Sequence, residues 1–477
     1  MHTRPRRIGA MVGAGAVAFG ALAVVAGNSA DAQQQPAPTP VETLLGGKEL
    51  PGRAALGQVQ SRLAELADRN GIAAAKLQEI LATDKTSWLD RDGKLFFREP
   101  TTGAKAAPTA SPRWATKAVA AATGPAFELH SKPGSNRVIY LDFDGHTITG
   151  TAWNGNGKPA TVNVTPYDTD GNTGNWSTAE QDVVRDVWKR VSEDYAPFDV
   201  DVTTQAPAES AITRSGSSDQ QYGTRVVIDP TTWYQSGCGC GGVAYVGVYD
   251  NTSQHSYYQP ALVFTKGVGT GAKNIAEAAA HEAGHNVGLS HDGTASVGYY
   301  SGHGAWAPIM GVGYSKAISQ WSKGEYSGAN NKEDDFAVIG QNGLALRADD
   351  HGNATSNATA LALGTATSGV YASDSDVDVF RIDLNAGTFN FAATSGGDLD
   401  IKLQLLDSAG NVVVTADPAA GQSNSATPTG LSASISRQVA AGRYYLRVDN
   451  TGHANPLNTG YSTYGSRGAY TVRVTAG

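Results

Sequence analysis

One short stretch, His281-Glu282-Ala283-Gly284-His285-Asn286-Val287-Gly288-Leu289-Ser290-His291-Asp292, constrains the chain more than any other. Alanines at 276, 278, 279 and 280 precede it and favour helix. A spacing of four places His281 and His285 on one helical face, one turn apart, where both imidazoles can reach a single zinc ion. Glu282 then lies beside the metal without binding it. Gly288 can take the positive φ that ends a helix and redirects the chain, returning His291 as a third ligand. Three histidines leave one coordination position open, as hydrolysis at zinc requires.

The 477 residues allow two or three domains, and 57 glycines with only 17% charged residues suit turn-rich globular units better than coiled coils. The net charge is −8, and residues 1–32 carry Arg4, Arg6 and Arg7 against Asp31, so their removal takes it to −10. That balance argues against a nucleic-acid binder that works by neutralising phosphates. Cys238 and Cys240 are the only cysteines, which excludes a disulfide framework and a four-thiolate zinc module and permits one local bridge. At the N-terminus, basic residues precede an apolar run from Ile8 to Ala26 and a small-residue site at Ala30-Asp31-Ala32. This pattern is a secretory signal peptide over 1–32, giving a secreted, extracellular protein with no stable membrane anchor.

Leu56, Val59, Leu63 and Leu66, and then Leu77, Ile80 and Leu81, recur at helical spacing and predict two short amphipathic helices. Asp92-Gly93 between apolar runs in Ser87–Phe97 predicts a hairpin. Residues 100–126 are Ala/Thr/Pro-rich and read as an exposed linker. Arg137–Phe143 reads as a strand, and a Ser177/Glu180 capping box opens a helix with Val183, Val184, Val187, Trp188 and Val191 as its apolar stripe. Further strands are predicted at 198–204, 225–228, 243–248 and 261–265, and a final helix at 332–341, which makes an α/β or α+β domain. A polar linker follows Leu346, and beyond it alternating segments such as Asp376–Ile382, Ile401–Leu405, Tyr444–Val448 and Tyr470–Val474 predict an all-β sandwich.

The pattern H-E-x-x-H-x-x-G-x-x-H resembles that of the metzincin zinc endopeptidases, and His291-Asp292 is similar to the adamalysin/reprolysin-like branch, where an Asp follows the third histidine. Met310, within Ala307-Pro308-Ile309-Met310-Gly311, stands where that family has its Met-turn; otherwise it is a plain core methionine. In some relatives a Tyr two residues after the Met is a further ligand; Val312 holds that position here, and Tyr314 is not assigned to the metal. The resemblance implies an α+β metzincin-like catalytic domain with a mixed sheet and an active-site helix over 128–348. It implies one catalytic Zn2+ on His281, His285 and His291, with Glu282 as general base towards zinc-activated water and then acid towards the leaving amine. Residues 355–477, including Asp407–Asn411 and Ala441–Leu446, resemble a bacterial pre-peptidase C-terminal domain, which implies a jelly-roll sandwich of the kind appended to secreted peptidases.

Residues 33–127 stand where a propeptide and linker would, and their twelve Lys/Arg against nine Asp/Glu contrast with the acidic remainder. A zymogen inhibited by its own propeptide follows, although not through a cysteine on zinc, since none precedes Cys238. Protein or peptide substrates are expected to bind as an extended strand along a sheet edge. Val243, Ala244 and Tyr245 are the candidate edge or else an internal strand, and His303 either lines the cleft or is a solvated loop residue. Calcium is a further candidate ligand: Asp168–Asn172 resembles part of a calcium loop but lacks the glycine at its sixth position, so a polar turn fits better. Asp376 and Asp378 are either calcium ligands or the solvated face of a strand. Two other functions stay open: a matrix- or surface-binding protein with weak catalysis, and a zinc hydrolase of a non-peptide amide.

Overall fold

A computed structural model describes residues 40–101, 125–155 and 157–477. The expected signal peptide and nearly all of the expected 100–126 linker lie outside these residues. Among the described residues no helix is long and apolar enough to cross a membrane.

The largest sheet has eight strands. Its amino-terminal members are β1 (Leu50–Pro51), β2 (Ser87–Leu89) and β3 (Leu95–Pro100), followed in sequence by β4 (Arg137–Asp142). A separate hairpin pairs β5 (His146–Thr149) with β6 (Thr161–Val164). The large sheet is completed by β7 (Asp201–Thr203), β8 (Tyr222–Asp229), β9 (Cys240–Tyr245) and β10 (Ala261–Phe264). The order is β1-β2-β3-β9-β10-β8-β4-β7. From β10 to β7 the pairing is parallel, and from β10 back to β1 it is antiparallel. The sheet is therefore mixed.

Side chains alternate across this sheet with period two, and the sequence supplies an apolar residue for both faces. Val226, Ile228, Ala244 and Val263 face a core shared with the helices Thr178–Asp194 and Ala272–Asn286. Val227, Val243, Tyr245, Leu262 and Phe264 face a second core with Phe96 and Trp153. Each fully buried side chain of this size contributes about 1.5–3 kcal/mol. The helix Thr178–Asp194 starts where the capping box predicts: the Ser177 hydroxyl accepts from the Glu180 amide at 3.3 Å, and the Glu180 carboxylate accepts from the Ser177 amide at 2.9 Å.

Several boundaries differ from the sequence reading for local reasons. The first predicted helix is two, Gly52–Val59 and Leu63–Asn70, because the chain tightens into a 3-10 turn at Gln60–Arg62; Ala74–Thr83 is the second predicted helix. The strand expected at 243–248 starts at Cys240 and stops at Tyr245, because Gly247 takes φ +60° and the amides of Gly247 and Val248 bond the His285 and Asn286 carbonyls. The helix expected at 332–341 starts at Asp335, where the Asp334 carboxylate accepts from the Ala337 amide.

Beyond residue 358 the chain is all β. A five-stranded sheet is centred on Gly442–Asn450, which pairs with Asp378–Leu384 and Ile401–Leu406. A four-stranded sheet is built on Gly387–Ser395 and Gly468–Ala476. Leu403, Leu405 and Leu446 of the first sheet and Phe391, Val472 and Val474 of the second share one core.

Candidate active site

The helix Ala272–Asn286 is buried almost throughout, and the alanines on its inner side let it lie close to the sheet. Gly284 keeps it close to Met310: a Cβ there would sit 2.7 Å from the Met310 sulfur. At its end Gly288 takes φ +97°, and the Leu289 amide reaches back to the Gly284 carbonyl at 3.0 Å, so the chain turns sharply towards His291.

Each of the three imidazoles is oriented by a bond at Nδ1. His281 donates to the Ile309 carbonyl at 2.9 Å, His285 to the Leu289 carbonyl at 2.8 Å, and His291 to the Asp84 carboxylate at 2.6 Å. The Nε2 atoms therefore present lone pairs to one another. Those of His285 and His291 are 3.0 Å apart, and His281 Nε2 is buried without a hydrogen-bond partner. A fourth donor, the Glu99 carboxylate, completes the cluster at 2.9 Å from His291 Nε2, 3.4 Å from His285 Nε2 and 3.6 Å from His281 Nε2. Zinc bonds of about 2.0–2.2 Å set tetrahedral donors roughly 3.3–3.6 Å apart, so the four groups fit that ion once His291 moves a few tenths of an ångström from its neighbours. Facing lone pairs and an orphaned buried nitrogen are what a cation resolves.

The charges agree with this geometry. Burial opposes ionisation of Glu99, yet the neighbouring imidazoles hold its carboxyl well below the usual range. Burial likewise opposes protonation of His291, but Glu99 and Asp84 outweigh it and push the ring up to about 10, so a proton between its Nε2 and Glu99 takes the place of the cation and would have to leave for a metal to bind there. The pocket thus attracts positive charge.

Glu282 is fully buried beside the cluster, and neither carboxylate oxygen has a hydrogen-bond partner. Burial, then the charge of Glu99, pushes its carboxyl up. Its side chain lies against Gly242 of β9, where any Cβ would collide with it. A narrow groove opens here, lined in part by Gly241, Gly242, Glu277, Glu282, Tyr299 and Tyr314. Met310 is fully buried beneath the helix, and its carbonyl accepts from the Asp292 amide at 2.8 Å.

Two expectations need correction. Val243, Ala244 and Tyr245 do not form a free edge: β9 is internal, paired with β10 on one side and with β3 on the other, and all three side chains are buried in the two cores. His303 does not line the groove; its Nδ1 bonds the Tyr300 hydroxyl at 2.7 Å and its Nε2 the Gly460 carbonyl at 2.6 Å, which commits the ring to a contact with the C-terminal region. Sequence reasoning also missed Glu99, Asp84 and Phe97, whose ring lies 4.6 Å from that of His285 and 4.2 Å from that of His291. Phe97 ends the Ser87–Phe97 hairpin and Asp84 and Glu99 flank it, and nothing in its local pattern points to the histidines.

Away from the groove, Cys238 and Cys240 are joined in a disulfide. Asp168 and Asp170 approach Glu180. One Asp168 oxygen, however, accepts three backbone amides, from Asp170, Gly171 and Asn172, and the Glu180 oxygens serve Thr169 and Ser177. A polar turn accounts for this group. In the C-terminal region Asp349, Asp350 and Asp378 bring oxygens within 4.8 Å of one another. Asp376 and Asp378 are 3% and 0% exposed, so they are no solvated strand face, and one oxygen of each has no partner.

Residues 225–322 match a reprolysin-type profile described as metallo-peptidase family M12, and residues 376–450 match the bacterial pre-peptidase C-terminal domain. The chain therefore carries an M12-like metallopeptidase segment followed by a pre-peptidase C-terminal segment. Among solved structures, the pre-peptidase C-terminal domain of a Bacillus anthracis collagenase aligns at 16% identity over 27% of this chain and 97% of that one, with a TM-score of 0.18. The Aeromonas hydrophila inhibitor PliG, a periplasmic inhibitor of g-type lysozyme, aligns at 11% identity over 24% and 93%, with a TM-score of 0.16. The module CBM35 from Cellvibrio japonicus Abf62 aligns at 15% over 27% and 84%, with a TM-score of 0.15. No curated protein gives a match to the chain.

Proposed function

We propose that this protein is a secreted zinc endopeptidase made as a latent precursor. In this reading 1–32 is the signal peptide, 33–127 the propeptide and linker, 128–348 the metzincin-like catalytic domain, and 355–477 a jelly-roll accessory domain. The observation that carries it is the convergence of three oriented imidazoles beside a buried, unpartnered carboxylate at an open groove. The M12 match over the same residues supports it.

His281, His285 and His291 would hold the zinc through Nε2, with the Nδ1 bonds keeping the rings aimed. When bound, the ion acidifies water and polarises the scissile carbonyl. Glu282 is the proton carrier: an Oε atom takes up the proton as water attacks and then delivers it to the leaving amine. Its dry surroundings suit the task, because they raise the affinity of the carboxylate for that proton. Tyr299 and the Gly241-Gly242 backbone border the groove in which a peptide would lie.

The test is to incubate the secreted, processed protein with a peptide mixture and map the products by mass spectrometry. Cleavage should be lost on zinc chelation and should fall by at least about 100-fold in Glu282→Ala, the size of a general-base contribution. A Glu282→Ala protein that cleaves at the wild-type rate would overturn the assignment.

For the C-terminal region we propose a calcium ion held by Asp349, Asp350 and Asp378, with Asp376 beside them. Two buried carboxylates with orphaned oxygens support it. Calcium should raise the unfolding temperature of the wild type but not of Asp378→Asn. Equal shifts in both would remove the site.

A further inference from the structure

We infer, on the basis of the zinc-peptidase reading, that residues 40–100 are a carboxylate lock in which Glu99 fills the fourth metal position, Asp84 fixes the third histidine, and β3 covers the sheet edge that a substrate would use.

Three features of the same segment meet at one point. Glu99 is almost fully buried, and among the described residues its ion pairs are with His281, His285 and His291. No lysine or arginine forms an ion pair with it there, so the cationic partners its carboxylate meets are the three imidazoles, with the Tyr299 hydroxyl beside them. The alternation of β3 explains how it gets there. Phe97 and Glu99 point towards the histidines, while Arg98 points away, pairing with Glu49 and bonding the Tyr234 hydroxyl at 3.1 Å.

Asp84 is held ready for its bond to His291. Its other oxygen accepts from the Thr86 amide at 2.8 Å and hydroxyl at 2.6 Å, and Thr86 Oγ1 in turn accepts from the Tyr299 hydroxyl at 2.7 Å. His281 and His285 take their orienting bonds from backbone carbonyls of the catalytic region, whereas His291 takes its bond from the amino-terminal segment. Asp84 is thus a positioning residue for one ligand.

The register completes the lock. In the pairing of β3 with β9, Glu99 stands opposite Gly242, the same glycine that makes room for Glu282. The segment therefore lies along the strand beside the general base and places a carboxylate at the metal. Removing residues 40–100 would leave β9 as the edge strand, open to an extended peptide, and would free the fourth position. It would also take away the outer partner of His291. The locked chain should consequently hold zinc more tightly than an unlocked one.

The experiment uses the full chain carrying one equivalent of zinc. Zinc loss to excess dipicolinate is followed in wild type, Glu99→Gln, Glu99→Asp and Asp84→Ala, and the visible absorption of the cobalt-substituted proteins is recorded alongside. Glu99→Gln should lose zinc at least about ten-fold faster and change the cobalt spectrum, and Glu99→Asp should fall between it and wild type. Asp84→Ala should lose zinc about ten-fold faster while keeping a four-ligand cobalt spectrum. Wild-type retention and spectrum in both Glu99 variants would overturn the lock while leaving the peptidase reading intact. A wild-type chain that binds no zinc would overturn both.

Discussion

The two segments that flank the catalytic region are attached to it in opposite ways. Residues 40–101 add three strands to its main sheet and two carboxylates to its histidine cluster. Their small core of helices and hairpin includes Val246 of the catalytic region. The C-terminal region instead closes its own core between its own two sheets. It meets the catalytic region through side chains and loops: Tyr461, Leu431 and Ala420 pack on Trp306, Ile318 and Tyr326, and the Asp398 carbonyl accepts from Gln320 at 2.6 Å. None of its residues belongs to the histidine cluster. A segment joined by strand pairing inherits the register of the site, so it can aim a single carboxylate at a metal. A segment joined by side-chain packing can shift without moving the histidines.

The largest expected effect that tests this contrast is at Phe97, which is fully buried and packs on two of the imidazoles. Phe97→Ala should destabilise the docking of residues 40–101 by about 3–5 kcal/mol. Hydrogen exchange should rise across β2 and β3, and zinc loss should quicken as in Glu99→Gln. Unchanged exchange there would mean that the segment is held by something other than this contact. Next comes Leu403→Ala, a fully buried change in the C-terminal core, which should cost about 2–5 kcal/mol in unfolding of that region. Zinc retention should stay at the wild-type value. If it fell, the two attachments would not be as different as their geometry indicates.

How much of this the sequence discloses depends on the range of the interaction. The three histidines fall within eleven residues, so helix period and one glycine turn bring them together, and both are local rules. The Ser177/Glu180 helix start is legible for the same reason. Glu99 is 182 residues before His281, and its place depends on β3 finding β9, a pairing no local pattern specifies. The same pairing makes 243–245 internal, the choice between edge and interior that the sequence left open. His303 sits on a loop whose partner, the Gly460 carbonyl, lies 157 residues away. Buried Asp376 and Asp378 look like a solvated strand face in an alternating pattern, because alternation cannot tell water from a neighbouring carboxylate.

The smallest effect concerns pH and the C-terminal attachment. Asp400 is 1% exposed; one oxygen accepts from the Tyr461 hydroxyl at 2.7 Å, and the other has no partner. Burial pushes its carboxyl up from 3.8 to about 7 despite that bond. The folded chain therefore keeps this proton up to about pH 7, while the unfolded chain releases it near pH 4. Between those values the folded state binds more protons, so this group makes stability fall as pH rises, and the fall levels off above the folded value. Asp400→Asn still accepts from Tyr461 but has no proton to lose. Its unfolding free energy should drop less between pH 5 and pH 8 than that of wild type, by a difference on the order of 2 kcal/mol. Denaturant titrations at the two pH values measure it, and parallel losses in both proteins would show that Asp400 does not carry the effect. Because Tyr461 also packs on Trp306 and Tyr326, the change should weaken the attachment of the C-terminal region as pH rises. Zinc retention, which depends on the other attachment, should follow the same pH profile in both proteins.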